Sequence, residues 1–308
     1  MRVKFDPDTQ LLFQIGDPLD HACACYIHNA LYELAGINAV NMNCVVKKGE
    51  LPQFVDACKA LGVKGFDITM PHKTDIIPLC DEVDEFSREF KCVNHVKIRD
   101  GKLIGIGLDG LGMRMAIEHS GANLAGARVL MLGAGAVSGQ IAAELCKGGA
   151  AKVVILNRTV SKAEQIALTL HRYFSNVETH AAAMTAENMR EYAPEMDVVV
   201  QCTNLGMSGE TADYEDLSFI ALLPKTAMVA DVIFNPERTK FLQTAEDAGL
   251  RVLNGMGMLV NQERAMMRFH FGVELDDRFE KEGEEALVIA LAMRQLRSRY
   301  MKEHDCFK

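Results

Sequence analysis

Three polar residues in the first third of the chain have side chains suited to proton and hydride chemistry. They are Lys73 in the segment ITMPHK, Asn94 in KCVNHV and Asp109 in GLDG, and all three precede a glycine-rich loop that begins at Gly133. An amine and a carboxylate directed at one point can give or take a proton while a nicotinamide bound beside them moves a hydride. The combination indicates interconversion of an alcohol and a ketone.

Two of these residues also have simpler explanations. Taken alone, Lys73 could be a surface lysine that follows Pro71. Asp109 could cap the helix-like stretch that starts at Gly110, since aspartate is a preferred N-cap residue. Capping and catalysis are compatible, so the cap alone does not exclude a catalytic role.

The glycine-rich loop GAGAVSG, residues 133–139, lies between the apolar segment RVLML and an amphipathic stretch that reaches about Lys147. Its first glycines permit a tight turn and the close approach of a pyrophosphate, and the helix that follows offers free N–H groups. The spacing is GxGxxxG instead of the commoner GxGxxG, and such a loop could be a turn that binds nothing. Its position between a strand and a helix favours a dinucleotide site.

The next predicted strand ends at Asn157-Arg158-Thr159, where an NAD site usually has an acidic residue for the ribose hydroxyls. No acid occurs before Glu164, and Lys162 precedes it. A guanidinium, a hydroxyl and an ammonium suit a 2′-phosphate, so the sequence predicts NADP over NAD. Alternatively, these are solvated residues of a turn and a helix start.

Apolar periodicity predicts the elements that position these residues. In the first third we expect strands at 11–16, 39–45, 65–70, 92–98 and 102–107, helices at 22–35 and 50–61, and a tight turn at Arg99-Asp100-Gly101. Further strands are predicted at 128–132, 153–156, 197–202, 228–233 and 251–253, and a final helix at 284–299. The alternation predicts an α/β fold with a mainly parallel first sheet and a doubly wound parallel second sheet.

Length, charge and cysteine content limit the possible functions. The chain has 308 residues, enough for two domains, and a net charge of −9, which argues against a nucleic-acid partner. Nine scattered cysteines indicate a reducing cytoplasm, and the CxC spacing of Cys23 and Cys25 is a poor zinc signature, so we expect no metal. The sequence shows no signal peptide and no apolar run near the ~20 residues of a membrane helix.

Several motifs resemble those of the shikimate/quinate dehydrogenase family, in the same order along the chain. They are ITMPHK, Val93-Asn94, Leu108-Asp109-Gly110, GAGAVSG, NRTVSKAEQ, the segment Asp231 to Pro236, and GMGMLVNQ. The resemblance implies a substrate-binding domain of residues 1–109 plus 255–308 and an inserted NADP-binding Rossmann domain of residues 110–254. It also implies a small alicyclic substrate, and we expect a cytoplasmic monomer or homodimer.

The resemblance further implies roles for individual residues. Lys73 and Asp109 correspond to the catalytic pair, Asn94 and Gln262 to ligands of ring hydroxyls, and Thr69 to a neighbour of the same pocket. The implied cofactor-binding residues are Gly133, Gly135, Ala136, Val137, Asn157, Arg158, Thr159, Lys162, Cys202, Thr203, Val232, Gly255 and Met258.

The chain departs from the family where a substrate carboxylate is usually bound. The family's Ser-x-Ser-Pro segment corresponds to HACACYIH, residues 21–28, so that Ala22 and Ala24 replace two serines, and Phe234 stands where a tyrosine is usual. A hydrogen bond to a charged group contributes ~1.5–3 kcal/mol. The loss of three hydroxyls therefore predicts roughly a thousandfold weaker carboxylate binding.

Two alternatives would leave a carboxylate site in place. His21, Cys23 or Cys25 could supply replacement donors, or the alignment could be shifted so that the subsite is intact.

Three functions stay open as a result. The favoured one is an NADP-dependent dehydrogenase of a shikimate-like ring alcohol or ketone that is not held through the usual carboxylate site. The second is an authentic shikimate or quinate dehydrogenase with a rebuilt site, and the third is a non-catalytic small-ligand sensor, for which a proton-transfer pair would be unnecessary.

Overall fold

The computed structural model describes residues 6–19, 22, 24–275, 279, 281–286, 288–289 and 292. The chain divides into two compact units. The first unit consists of the described residues of 1–83, 93–106 and 263–308, and the second of 84–92 and 107–262. The helix predicted at 284–299 lies largely outside the described residues.

The first elements in the chain alternate strands and helices. They are β1 (Gln10–Gly16), α1 (Ala24–Leu34), β2 (Ala39–Val45), α2 (Leu51–Ala60), β3 (Gly65–Ile68), β4 (Glu82–Val83), α3 (Glu85–Glu89), β5 (His95–Arg99) and β6 (Lys102–Ile106). All except α3 belong to the first unit.

The second unit continues the alternation, with short 3₁₀ turns before β10 and β11. Its elements are α4 (Asp109–His119), β7 (Arg128–Leu132), α5 (Ser138–Lys147), β8 (Lys152–Asn157), α6 (Val160–Tyr173), β9 (Glu178–Ala183), α7 (Ala186–Tyr192), β10 (Val198–Gln201), β11 (Met228–Asp231), α8 (Lys240–Asp247), β12 (Arg251–Leu253) and α9 (Gly255–Phe271). Helix α9 begins in the second unit and ends in the first.

The sheet of the first unit is mixed, with strand order β2-β1-β3-β5-β6-β4. Strands β1, β2 and β3 pair in parallel, whereas β5 is antiparallel to both β3 and β6. Strands β5 and β6 pair as a hairpin because Asp100 and Gly101 have φ values of 52° and 75°, which close the predicted tight turn. The core of this sheet includes Ile15, Phe66 and Val96, all fully buried.

The sheet of the second unit is parallel throughout, with order β12-β11-β10-β7-β8-β9, which confirms the predicted doubly wound arrangement. Both faces of β7 are buried, since Val129 and Met131 belong to one core cluster and Leu130 and Leu132 to the other. A strand that is covered on both faces has an unbroken apolar sequence, as RVLML does. Within the described ranges, no helix has the length and apolar character needed to cross a membrane.

Residues 84–92 pack with the second unit. The rings of Phe86 and Phe90 join the core cluster around α5 and α6. The Gln140 side chain donates hydrogen bonds to the Cys92 carbonyl (2.6 Å) and to Ser87 Oγ (3.1 Å). Residues 84–92 are therefore fixed to α5 by aromatic packing and buried hydrogen bonds.

Candidate functional site

The glycine loop follows β7 and leads directly into α5. Gly133 has φ 109°, and a Cβ at this position would lie 2.7 Å from Thr203 Cγ2, so the turn requires glycine. Ser138 Oγ accepts a hydrogen bond from the Gly135 N–H at 2.9 Å, which shapes the loop. Gly135 and Ala136 are exposed, and Val137 is half-buried. The loop backbone and the first turn of α5 together suit a phosphate group.

The carboxyl end of β8 lies next to this loop. Asn157 Oδ1 accepts a hydrogen bond from the Ala134 N–H (3.1 Å), and Asn157 Nδ2 donates one to the Thr159 carbonyl (2.8 Å). Asn157 therefore braces the glycine loop and the turn after β8. Arg158 and Thr159 are exposed in that turn, and Lys162 is exposed in the first turn of α6. These cations and the hydroxyl are accessible to a ligand.

A cleft of about 160 Å³ opens beside the glycine loop. It brings together residues from three parts of the second unit: the loop, α6, and the end of α3 with the two residues that follow it. The lining residues are Glu89, Phe90, Lys91, Ala134, Gly135, Ala136, Gly139, Lys162, Gln165, Ile166 and Thr169.

The remaining predicted cofactor residues follow the carboxyl ends of β10, β11 and β12. Cys202 and Thr203 come after β10, Val232 after β11, and Gly255 and Met258 open α9. Burial raises the pKa of the Cys202 thiol, so this side chain stays neutral. Because ligands of doubly wound sheets bind at this edge, the positions fit the predicted dinucleotide site.

Phe234 is half-buried three residues after the end of β11. The strand ends at Asp231, which is fully buried and accepts hydrogen bonds from Thr239 Oγ1 (2.8 Å) and the Ile233 N–H (2.9 Å). Burial outweighs these bonds and raises the pKa of Asp231 to about 7. Asp231 shapes the turn that presents Phe234.

The proposed catalytic residues lie in different units. Asp109 is 4% exposed and is the first residue of α4, with Leu108 at the N-cap, so Asp109 is not itself the cap. Its carboxylate lies at the positive end of the helix dipole. Lys73 is half-buried in the first unit, and its carbonyl accepts a hydrogen bond from the Val93 N–H (2.9 Å).

Thr69 and Asn94 are neighbours in the first sheet. Thr69 follows β3, and its N–H donates to the Ile15 carbonyl (2.9 Å); Asn94 precedes β5, and its carbonyl accepts from the Ile68 N–H (2.8 Å). Asn94 is buried and Thr69 half-buried. In the second unit, Gln262 is buried in α9.

The segment predicted to replace the family's serines leads into α1. Ala22 is half-buried, and Ala24, the first residue of α1, is buried. Of the alternative donors, His21 and Cys23 lie outside the described residues. The Cys25 N–H donates to Gln14 Oε1 at 3.3 Å. Neither alanine carries a side-chain donor, so an anion at this position would depend on other groups.

A buried ionic network in the first unit was not predicted from the sequence. We define it as His28 in α1, Asp67 in β3 and Glu263 in α9. His28 Nδ1 lies 3.3 Å from Asp67 Oδ2, and His28 Nε2 is in contact with Glu263 Oε2. Asn41 Nδ2 lies 3.4 and 3.3 Å from the two Asp67 oxygens. All four residues are buried.

The network controls the charge of its histidine. Burial by itself lowers the pKa of His28, but the Asp67 and Glu263 carboxylates raise it to about 9, so the imidazole is protonated at neutral pH. Two neighbouring histidines behave oppositely: burial and nearby cations lower the pKa of His95 well below its usual range and that of His270 to about 3. Of these three buried histidines, His28 is therefore charged and the other two are neutral.

No group of three or more His, Cys, Asp or Glu side chains in the described part of the chain has an arrangement suited to a metal ion. The polar groups at the carboxyl edge of the second sheet are glycine-loop amides, a guanidinium and amines. These donors are chemically suited to phosphates.

Known proteins share this arrangement over most of the chain. Residues 14–96 match the family described as "Shikimate dehydrogenase substrate binding domain", and residues 115–208 match "Shikimate / quinate 5-dehydrogenase". The shikimate dehydrogenase (NADP(+)) of Alkaliphilus metalliredigens is 34% identical over 275 residues, which cover 89% of this chain and 96% of that protein.

Two solved structures show the same fold. The ligand-free 5-ketofructose reductase of Gluconobacter sp. has a TM-score of 0.82 at 32% identity, covering 92% of this chain and 99% of that one. A shikimate dehydrogenase in complex with NADP+ has a TM-score of 0.80 at 30% identity, covering 92% of this chain and 96% of that one.

A parallel sheet with a glycine-rich loop at its carboxyl edge, in a chain that also contains a mixed α/β unit, is typical of two-unit dinucleotide-dependent oxidoreductases. The matches over both units identify the family. The chain belongs to the shikimate/quinate dehydrogenase family and is a dehydrogenase that acts on CH–OH groups.

Proposed function

We propose that this protein is an NADP-dependent dehydrogenase of a polyhydroxylated ring alcohol or ketone that is not held through the family's usual carboxylate site. The observation that carries the proposal is the absence of hydroxyls at Ala22, Ala24 and Phe234, with Ala24 buried and the other two half-buried. An apolar wall desolvates an anion without compensating it, which selects against a carboxylate.

The similarity to 5-ketofructose reductase supports this proposal independently of the missing hydroxyls. That protein's named substrate is a sugar ketone without a carboxylate. The hydroxyls of a neutral polyol or ketose are suitable partners for the side chains of Asn94, Thr69 and Gln262. The similarity to named shikimate dehydrogenases supports the alternative, an authentic shikimate or quinate dehydrogenase with a rebuilt site.

In the proposed reaction, Lys73 and Asp109 are the proton-transfer pair. During oxidation the substrate hydroxyl gives its proton to the Lys73 amine as its C–H bond breaks, and in reduction the ammonium returns that proton to the ketone oxygen. Asp109 contributes the carboxylate of the proposed pair. When bound, the nicotinamide accepts or supplies the hydride. We assign its 2′-phosphate to Arg158, Thr159 and Lys162, because no carboxylate precedes Glu164 in this region.

The test compares substrates of different charge. Purified protein is assayed with NADP+ and shikimate or quinate, and with NADPH and neutral ketoses that include 5-ketofructose. The expected result is turnover of a neutral substrate, with kcat/KM for shikimate roughly a thousandfold lower. Turnover of shikimate at the higher efficiency would refute the proposal and establish the alternative. Absence of turnover with NADP+ and NADPH across the panel would favour the non-catalytic sensor.

A gain-of-function variant tests the reason for the preference. The combined changes Ala22→Ser, Ala24→Ser and Phe234→Tyr should raise kcat/KM for shikimate by roughly tenfold or more, because they restore donors to a charged group. Ala57→Ser, on the exposed face of α2, is the control and should change nothing. An unchanged shikimate efficiency in a folded triple variant would show that these positions do not set the preference.

A further inference from the structure

Lys91 has an unusual backbone conformation directly beside the glycine loop. It follows the C-cap Phe90 of α3 and has φ 53°. This is the left-handed position after a helix, where glycine is strongly favoured because side chains are strained there. A lysine at such a position is therefore unfavourable for the fold alone, and strained residues cluster at functional sites.

The surrounding contacts hold Lys91 against the first turn of α5. The Phe90 ring occupies the space that a side chain at Gly139 would need. On the other side of Lys91, the Cys92 carbonyl accepts the 2.6 Å hydrogen bond from Gln140. Both neighbours of Lys91 are thus fixed to the helix that follows the glycine loop, so the lysine cannot shift away from it without breaking buried contacts.

The cleft beside the glycine loop combines features suited to an anion. Lys91 and Lys162 come from separate elements and line the same cleft as the exposed backbone of Gly135 and Ala136. Glu89 also lines it, but its carboxylate pairs with Arg172. Two ammonium groups and the N-terminal end of α5 therefore give this cleft a positive potential.

We propose that Lys91 binds a phosphate of the dinucleotide, as a further cofactor-binding residue contributed by the segment after α3. The inference rests on the proposed use of NADP and extends it to a residue outside the glycine loop and the turn after β8. The ammonium of Lys91 adds a charge-assisted hydrogen bond to a phosphate oxygen, and this gain offsets the strained backbone.

The test separates binding from folding. In Lys91→Gly, the backbone strain is relieved and the ammonium is lost. The melting temperature should therefore rise, while the Kd for NADP+, measured by calorimetric titration, should increase roughly tenfold. Lys91→Met, which keeps a long side chain, should weaken binding without raising the melting temperature. Asp100→Gly is the matched control, since Asp100 has φ 52° in an exposed turn of the other unit and should leave the Kd unchanged.

Titration with both NADP+ and NAD+ shows which phosphate of the dinucleotide Lys91 contacts. Weaker binding of both dinucleotides would place Lys91 on the pyrophosphate, whereas weaker binding of NADP+ alone would place it on the 2′-phosphate. Unchanged affinity for both in the folded Lys91 variants would overturn the inference. A wild-type protein that binds neither dinucleotide would overturn the proposed function itself, which is a distinct result.

Discussion

Replacing His28 tests whether the buried ionic network supports the first unit. In His28→Leu, the cation is removed and the carboxylates of Asp67 and Glu263 face an apolar side chain in a site without solvent. The rise of the His28 pKa from 6.5 to about 9 corresponds to about 3 kcal/mol in favour of the charged form. Removing one partner of a buried ion pair generally costs about 3–5 kcal/mol. We therefore expect the free energy of unfolding at pH 6.5 to fall by about 3–5 kcal/mol.

A variant without any of the three charges separates the loss of charge balance from the loss of packing. The combined change His28→Leu, Asp67→Asn and Glu263→Gln should recover most of the lost stability, because no unpaired charge remains buried. Urea denaturation followed by circular dichroism measures each free energy. His180→Leu is the matched control, since His180 pairs with Glu178 on the exposed surface of the second unit and its loss should have no measurable effect.

The pH dependence of the free energy of unfolding independently tests whether protonated His28 stabilises the fold. The pKa of folded His28 lies above the unfolded value, so its stabilising contribution is fully present below pH 6.5 and is lost as the pH rises through about 9. The pKa of buried Asp67 is also raised, to about 7, so its contribution is lost over the same range. The stability of the wild type relative to the triple variant, which lacks both titrating groups, should therefore fall between pH 6.5 and pH 9.5. A relative stability that stays constant over this range, or a loss below about 1 kcal/mol for His28→Leu at pH 6.5, would refute the reasoning.

Two other variants address catalysis and the attachment of α3. Lys73→Ala should lower kcat by roughly 10²–10⁴-fold through loss of proton transfer while the Kd for NADP+ stays unchanged, as measured by steady-state kinetics and titration; undiminished turnover would exclude the proposed role. Ser87→Ala should lower the free energy of unfolding by about 1–3 kcal/mol, because the fully buried Ser87 Oγ accepts hydrogen bonds from the Gly107 N–H (2.7 Å) and Gln140 Nε2 (3.1 Å). Urea denaturation beside the exposed Ser161→Ala measures this, and equal stability would show that the two donors find other partners.

Local patterns predicted most of the regular structure. The strands at 39–45 and 251–253 were predicted with the bounds that the structure has, and the turn at Asp100-Gly101 has the expected positive φ values. These elements carry strong local signals, which are an apolar run or a turn dipeptide. Strand β9 was missed because its sequence, ETHAAA, is polar and small, as suits an edge strand with no buried residue.

The attachment of residues 84–92 to the second unit could not be predicted in the same way. Phe86 and Phe90 form an ordinary i, i+4 apolar pair, which indicates a helix but not the surface it covers. The surface is decided by Gln140 and Gly139, which lie about 50 residues later in the chain, through two hydrogen bonds and the space left by a missing side chain. No local pattern therefore indicates the role proposed for Lys91, since that proposal depends on the long-range contact.

The buried ionic network depends on tertiary structure even more strongly. His28, Asp67 and Glu263 are far apart in the sequence, and each has a charged type that periodicity would assign to the surface. Yet Asp67 lies two residues before Thr69, and Glu263 directly follows Gln262. The network therefore holds the backbone segments that carry two predicted substrate ligands. We expect a substitution in it to displace those residues even though the network is not proposed to contact the substrate.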